Sequence, residues 1–282
     1  MRVEIIAIAI LVWSGAAVAN DAVGLHFQEA GSAYQLGDSS AAGIPLETAL
    51  KEAEARGPED PRVAAMLNIL ADRYRAQYRH AEAEPLYKRS IAIFEKAMGA
   101  QHPNLASVSN NLAELYRIQS RYAEAEPHYK RALATFEQAL GPEHAFVTAI
   151  IDDLAALYRA QGRNADIELL YQRALAMSEN AFGPEHARVV AILNNLARLY
   201  QVQGRYAEAE TLSKRVLRTV EMAMGPQHSN VAVAMSHLAG LHQLQGRYTE
   251  SEPLYKRALA ILEKALGPEH PALGLPLRGL AA

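Results

Sequence analysis

The stretch Asn194-Asn195-Leu196-Ala197-Arg198-Leu199-Tyr200, continued by Gly204-Arg205-Tyr206-Ala207-Glu208-Ala209-Glu210, decides how this chain folds. It is one copy of a block written five times, once every 42 residues. Arg79, Arg121, Arg163, Arg205 and Arg247 mark its middle, and Asp60, His102, His144, His186, His228 and His270 mark its edges. A fixed period of this length belongs to stacked-repeat architectures, in which each unit packs mainly on its neighbours. Such stacks present long surfaces that suit protein binding better than chemistry.

The second copy shows the physics of one unit. Pro103 follows His102 and suits a first helical position, where a missing N–H costs nothing. Leu105, Val108, Leu112, Leu115 and Tyr116 then recur at helical spacing. Gln119-Ser120-Arg121 interrupts them, and the later copies place Gly162, Gly204 and Gly246 at the middle position, as a tight turn prefers. A second helix carries Ala125, Tyr129, Ala132, Leu133 and Phe136 on one face and ends at Gly141-Pro142. The prediction is a hairpin of two helices of roughly 16 and 18 residues per copy. Small residues recur where helix backbones must approach: Ala71, Ala113, Ala155, Ala197 and Ala239 in the first helices, Ala83, Ala125, Ala209 and Ser251 in the second. Tyr74, Tyr116, Tyr158 and Tyr200 fill one recurring hole, with His242 in the fifth copy; Tyr87, Tyr129, Tyr171 and Tyr255 fill another, with Ser213 in the fourth. Glu84/Lys88, Glu126/Lys130, Glu210/Lys214 and Glu252/Lys256 are i, i+4 pairs, read as a solvated outer face.

Composition narrows the function. Half of the 282 residues are hydrophobic, enough for a continuous core, and the net charge of −3 lacks the basic excess of a nucleic-acid binder. With no cysteine there is no disulfide, thiolate nucleophile or thiolate metal site. The N-terminus reads as an export signal at residues 1–19. Arg2 is the positive charge, Ile5 to Trp13 the short apolar core, and Ala17-Val18-Ala19 the small-x-small cleavage pattern before Asn20. A periplasmic or secreted protein is expected, with an uncleaved membrane anchor as the alternative; nothing later in the chain is apolar enough to span a bilayer.

Leu112-Ala113, Tyr116, Ser120, Tyr122, Ala125, Tyr129 and Ala132 together resemble the tetratricopeptide repeat. The 42-residue form is similar to the repeat of kinesin light chains and their bacterial relatives, as are Glu252-Pro253-Leu254-Tyr255-Lys256-Arg257-Ala258-Leu259 and its ending Gly267-Pro268-Glu269-His270-Pro271. The resemblance implies an all-α, right-handed superhelical solenoid of antiparallel hairpins. Residues 59–270 hold five repeats, residues 20–58 a degenerate N-terminal repeat, and residues 271–282 a short cap or frayed tail, since Pro276 and Gly279 prevent a long helix. Atypical end repeats are expected of solenoids.

The resemblance further implies that the first helices line a concave groove holding an extended peptide. The groove positions are then Asn68, Asp72 and Arg75; Asn110, Glu114 and Arg117; Asp152, Ala156 and Arg159; Asn194, Arg198 and Gln201; and Ser236, Gly240 and Gln243. Amides both donate to and accept from a peptide backbone, so Asn68, Asn110 and Asn194 are ligand-holding candidates, against hydrogen bonding between repeats as the other reading. Arg75, Arg117 and Arg159 would stack into a ladder suited to an acidic stretch of the partner, unless Asp72 and Glu114 neutralise it.

Chemistry finds little support. There is no glycine-rich phosphate loop, paired-histidine zinc motif or nucleophile elbow. The repeated histidines fall at helix starts about 10 Å apart, too far to share one metal ion, and helix-start hydrogen bonding is the better account. A non-enzymatic scaffold for a protein or peptide, without cofactor or metal, is the expected function. The alternative is a structural protein that self-associates through its end repeats or convex face; the sequence leaves its oligomeric state open.

Overall fold

The structure is a computed structural model that describes residues 43–281, so the export signal and the Ala33-Tyr34 portion of the worn first repeat lie outside the described residues. The helices are α1 (Gly43–Arg56), α2 (Pro61–Ala76), α3 (His80–Met98), α4 (Pro103–Ile118), α5 (Tyr122–Leu140), α6 (Ala145–Ala160), α7 (Asn164–Phe182), α8 (Ala187–Val202), α9 (Tyr206–Met224), α10 (Ser229–Leu244), α11 (Tyr248–Leu266) and α12 (Gly274–Ala281). No strand occurs among the described residues. The chain divides between Gln161 and Gly162 into two compact units. The first holds α1 to α6 and the second α7 to α12. In each, consecutive helices pack as antiparallel hairpins of the tetratricopeptide kind.

The first helix of every copy is 16 residues long and starts in the same way. The Asp60 carboxylate accepts from the Arg62 N–H at 2.7 Å. Later copies replace it with histidine: Nδ1 of His102, His144, His186 and His228 accepts from the N–H two residues on, at 3.1–3.3 Å. His270 does the same before the short turn Pro271–Leu273. A side-chain acceptor satisfies one of the four N–H groups that a helix start leaves unpaired. The histidines are thus caps, one per repeat.

The turn inside each hairpin needs one left-handed residue. Gly162, Gly204 and Gly246 supply it at φ of 69° to 73°, but Tyr78 and Ser120 occupy it in the first two copies at φ 61° and 60°. A Cβ in that region is strained, so those two turns fold against a local cost.

Hairpins are tied together by a device the sequence had not revealed. The Arg121 guanidinium lies over the Tyr116 ring, 4.2 Å from its centroid. It donates to Glu84 of the preceding hairpin at 2.6 Å and to Glu124 of its own. The Tyr116 hydroxyl donates to the same Glu84 at 3.2 Å. The second unit repeats this with Arg205, Tyr200 and Glu168, and with Arg247 and Glu210. Glu84 and Glu210, expected on a solvated face, are therefore largely covered clamps between repeats. Their side chains are 19 % and 14 % exposed, whereas Glu252, with no further hairpin to hold, is 58 % exposed. Hydrogen bonds from Arg121 and then Lys88 hold the Glu84 carboxyl at about 2, and those from Arg247 and Lys214 hold Glu210 at about 2.

Ala71, Ala83, Ala113, Ala125 and Ala239 are fully buried, so the small-residue positions set the approach of the helices. Any larger side chain there would overpack a filled core, at about 1–3 kcal/mol. Residues 271–281 close the second unit. Leu273 and Pro276 are buried, and Gln243 donates to the Gly279 carbonyl at 3.3 Å. A Cβ at Gly279 would stand 2.2 Å from the Tyr255 ring. Glycine is what lets α12 lie directly on that tyrosine.

Candidate functional site

In the first unit the predicted groove positions are mostly consumed by the fold. Asn68, Asp72, Asn110 and Glu114 are all under 8 % exposed. The Asn111 amide donates to Asn68 Oδ1 and to Asp72 Oδ2, both at 3.1 Å, joining α4 to α2. Asp72 Oδ1 accepts from the Tyr87 hydroxyl at 2.7 Å and from Arg75 at 2.9 Å. One hairpin later Glu114 accepts from Arg117 at 2.7 and 2.8 Å and from the Tyr129 hydroxyl at 2.9 Å. Burial alone would lower the Arg75 pKa, but the Asp72 carboxylate and Tyr87 outweigh it and the net shift is upward. Arg117 is raised by its bond to Glu114, and Tyr129 is raised by burial and by the same carboxylate. Two rungs of the arginine ladder are thus neutralised from within. Asn68 holds a neighbouring repeat, and Asn110 is buried with its carbonyl oxygen unpaired. Asp152 and Arg159 stay on exposed positions of α6.

In the second unit the fourth copy leaves these positions open, while in the fifth Ser236 is buried and bonded to the Ala232 carbonyl and Gln243 is bonded to Tyr255 and Gly279. Asn194, Arg198 and Gln201 on α8 line a cavity of about 420 Å³ together with Ser213 of α9, Ser236, His237 and Gly240 of α10, Tyr255 of α11 and Leu275 of α12. The amides of Asn194 and Gln201 have no hydrogen-bond partner among the described residues. A second cavity, of about 560 Å³, continues from the first past Asn194 and His237, which line both. It is mostly apolar, with Val190, Ala191, Val216, Val220, Val233 and Ala234 in its walls. Together they form a trough between α8 and α10, floored by α9, polar at one end and apolar at the other. His237 sits where the two meet; burial and the nearby Arg198 cation lower its pKa and favour the neutral imidazole.

The trough exists because side chains shrink. In the first unit Phe136 and Phe146 pack with ring centroids 5.4 Å apart, beside Ile150. Two periods later the same positions hold Val220, Asn230 and Ala234. At the recurring tyrosine position Ser213 replaces the ring. Ser213 departs from the pattern in the sequence; the consequence, a hole, follows only when the neighbouring helices are in place. Sequence reasoning missed Asn111, since the adjacent Asn110 fits the groove spacing equally well. Among the described residues no group of three or more His, Asp or Glu could hold a metal ion, and no helix is long and apolar enough to cross a membrane.

Comparison with known proteins agrees with this architecture. No curated protein sequence matches the chain. Solved structures do. The nearly identical TPR-like repeats described as a kinesin light chain from Podosopora anserina are 26 % identical with a TM-score of 0.60, covering 74 % of this chain and 100 % of that one. BtubC (BKLC) from P. vanneervenii is alike in fold, 23 % identical with a TM-score of 0.59, covering 87 % of this chain and 94 % of that one. The tetratricopeptide repeat profile matches residues 62–138, 104–180, 147–222 and 188–246, and a second such profile matches residues 231–272. The chain belongs to the tetratricopeptide repeat family.

Proposed function

We propose that this protein is a non-enzymatic interaction scaffold and that it holds an extended segment of a partner protein in the trough of the second unit. The reading is carried by one observation: Asn194 and Gln201 offer unpaired amides on the wall of an open cavity, while Asn68 one unit earlier is buried and bonded. Unpaired amides can take both the N–H and the C=O of a peptide strand, and the adjoining apolar space can take a side chain. An acidic stretch in the partner loses much of its basis, because Arg75 and Arg117 already hold carboxylates; Arg159 and Arg198 are the groove arginines left at exposed positions. Residues 1–19 are read as an export signal, placing the scaffold in the periplasm or outside the cell. Fractionation of an epitope-tagged full chain tests that placement.

The test of the scaffold is a peptide display library panned against the full chain, followed by affinity measurement with Asn194→Ala. Recovered peptides should lose about tenfold in affinity, the worth of one to two backbone hydrogen bonds. Peptides unaffected by Asn194→Ala would overturn the trough as their site, and a chain that recovers none and elutes as a concentration-dependent oligomer would favour self-association instead.

A further inference from the structure

The trough reading leaves open what kind of side chain the partner inserts, and the tyrosine pattern of the repeats answers it. Tyr87, Tyr129, Tyr171 and Tyr255 are each at most 3 % exposed. In the hairpins of Tyr87, Tyr129 and Tyr255 the hydroxyl meets the last turns of the preceding helix: Tyr87 meets Asp72 and Arg75, Tyr129 meets Glu114, and Tyr255 donates to Gln243 at 3.1 Å. The ring is thus an internal strut of the hairpin. In the α8/α9 hairpin Ser213 stands at that position, and the residues that would face a hydroxyl are Arg198, in register with Asp72 and Glu114, and Gln201, in register with Arg75 and Gln243.

Ser213, Arg198 and Gln201 all line the 420 Å³ cavity. Its volume is well above the roughly 150 Å³ in which an engineered apolar cavity accepts benzene. The charge has also reversed. In the first unit a carboxylate accepts from the phenol. Here a guanidinium donates, held by a single hydrogen bond to Asn195 at 3.2 Å, and no carboxylate lines the cavity. The cavity therefore fits an aromatic ring whose far end carries an oxygen able to accept.

We propose that the space before Ser213 is a receptor for one tyrosine side chain of the bound peptide: its ring replaces the missing strut, and its hydroxyl accepts a hydrogen bond from Arg198. The proposal rests on the trough reading and names the residue that the peptide must contain.

The test uses p-cresol, the tyrosine side chain cut at Cβ, and toluene, the same ring without the hydroxyl. Both are titrated into the isotope-labelled full chain and followed by amide chemical shifts. p-Cresol should shift the amides around Ser213 and Arg198 and bind about tenfold more tightly than toluene, from one hydrogen bond to a charged donor. Ser213→Tyr restores the residue found in the other four hairpins, so it should fold, with an unchanged circular dichroism spectrum, and lose p-cresol binding. Arg198→Ala should bring p-cresol down to the affinity of toluene. Undiminished p-cresol binding by Ser213→Tyr, equal affinities for the two probes in the native protein, or no shifts near Ser213 would each overturn the proposal. A library peptide that needs Asn194, lacks tyrosine and ignores Ser213→Tyr would overturn the pocket and leave the trough reading standing. Capture of p-cresol with no peptide recovered would support the pocket and overturn the peptide reading.

Discussion

The two units are built from the same repeat, yet the α2/α3 hairpin of the first and the α8/α9 hairpin of the second use its groove positions in opposite ways. In the first, Asn68, Asp72, Arg75, Asn111 and Tyr87 form a buried network that joins α2, α3 and α4. In the second, Asn194, Arg198 and Gln201 face a cavity, which Ser213 lines in place of a tyrosine ring. Whether a groove position is bonded within the fold or left open is therefore not a property of the repeat spacing alone. A groove position is available to a partner only where the neighbouring side chains leave it unbonded and leave room.

The comparison breaks most severely at Asp72. Its carboxylate takes hydrogen bonds from three donors and is 1 % exposed. Asp72→Ala strands a half-buried guanidinium, a buried phenol and a buried amide, and should lower the unfolding free energy of the first unit by about 3–5 kcal/mol. Urea denaturation followed by circular dichroism measures the loss. Gln201→Ala, at an open groove position of the second unit, should change stability by less than about 0.5 kcal/mol.

Acid should attack the clamps in both units. Glu84 and Glu210 are held at about 2, below the ordinary carboxylate value of 4.5. A depressed folded pKa means that the unfolded chain takes up protons first. The stability these groups supply is fully present above pH 4.5 and is lost as the pH falls from there towards 2. Thermal midpoints recorded across that range should drop for the native protein and drop less for the double variant Glu84→Gln with Glu210→Gln.

A smaller gain is expected at His242. It replaces the tyrosine of earlier copies, is 4 % exposed, stands 3.5 Å from Glu210, and has both ring nitrogens without hydrogen-bond partners. His242→Tyr supplies the hydroxyl that Tyr200 gives to Glu168 and should stabilise the second unit by about 1 kcal/mol. The smallest effect belongs to the strained turns. Ser120→Gly removes a Cβ from the left-handed region and should add a few tenths to 1 kcal/mol, the relief of strain exceeding the entropy cost of glycine. Calorimetry of the single variants resolves both.

Much of the fold is legible in the sequence. The histidine caps, the turn glycines and the small residues that set helix approach all recur at one fixed spacing, and local physics assigns each a role. The site was legible only in part. Asn110 and Asn111 are adjacent, and the chain alone does not say which one reaches across to Asn68. Glu84 sits four residues from Lys88 and looks like half of a surface pair; its decisive partner, Arg121, lies 37 residues on. The trough was hardest to see, because it consists of missing atoms. Val220, Asn230, Ala234 and Ser213 are unremarkable as residues and matter only against Phe136, Phe146, Ile150 and Tyr171.

That contrast supplies the most direct test. A triple variant, Val220→Phe with Asn230→Phe and Ala234→Ile, writes the packing of the first unit into the second and closes the apolar end of the trough. Its affinity for a library-selected peptide, measured by calorimetry beside the native protein, should fall at least about tenfold with the fold intact. Unchanged affinity in a correctly folded triple variant would contradict the claim that the partner binds in this trough.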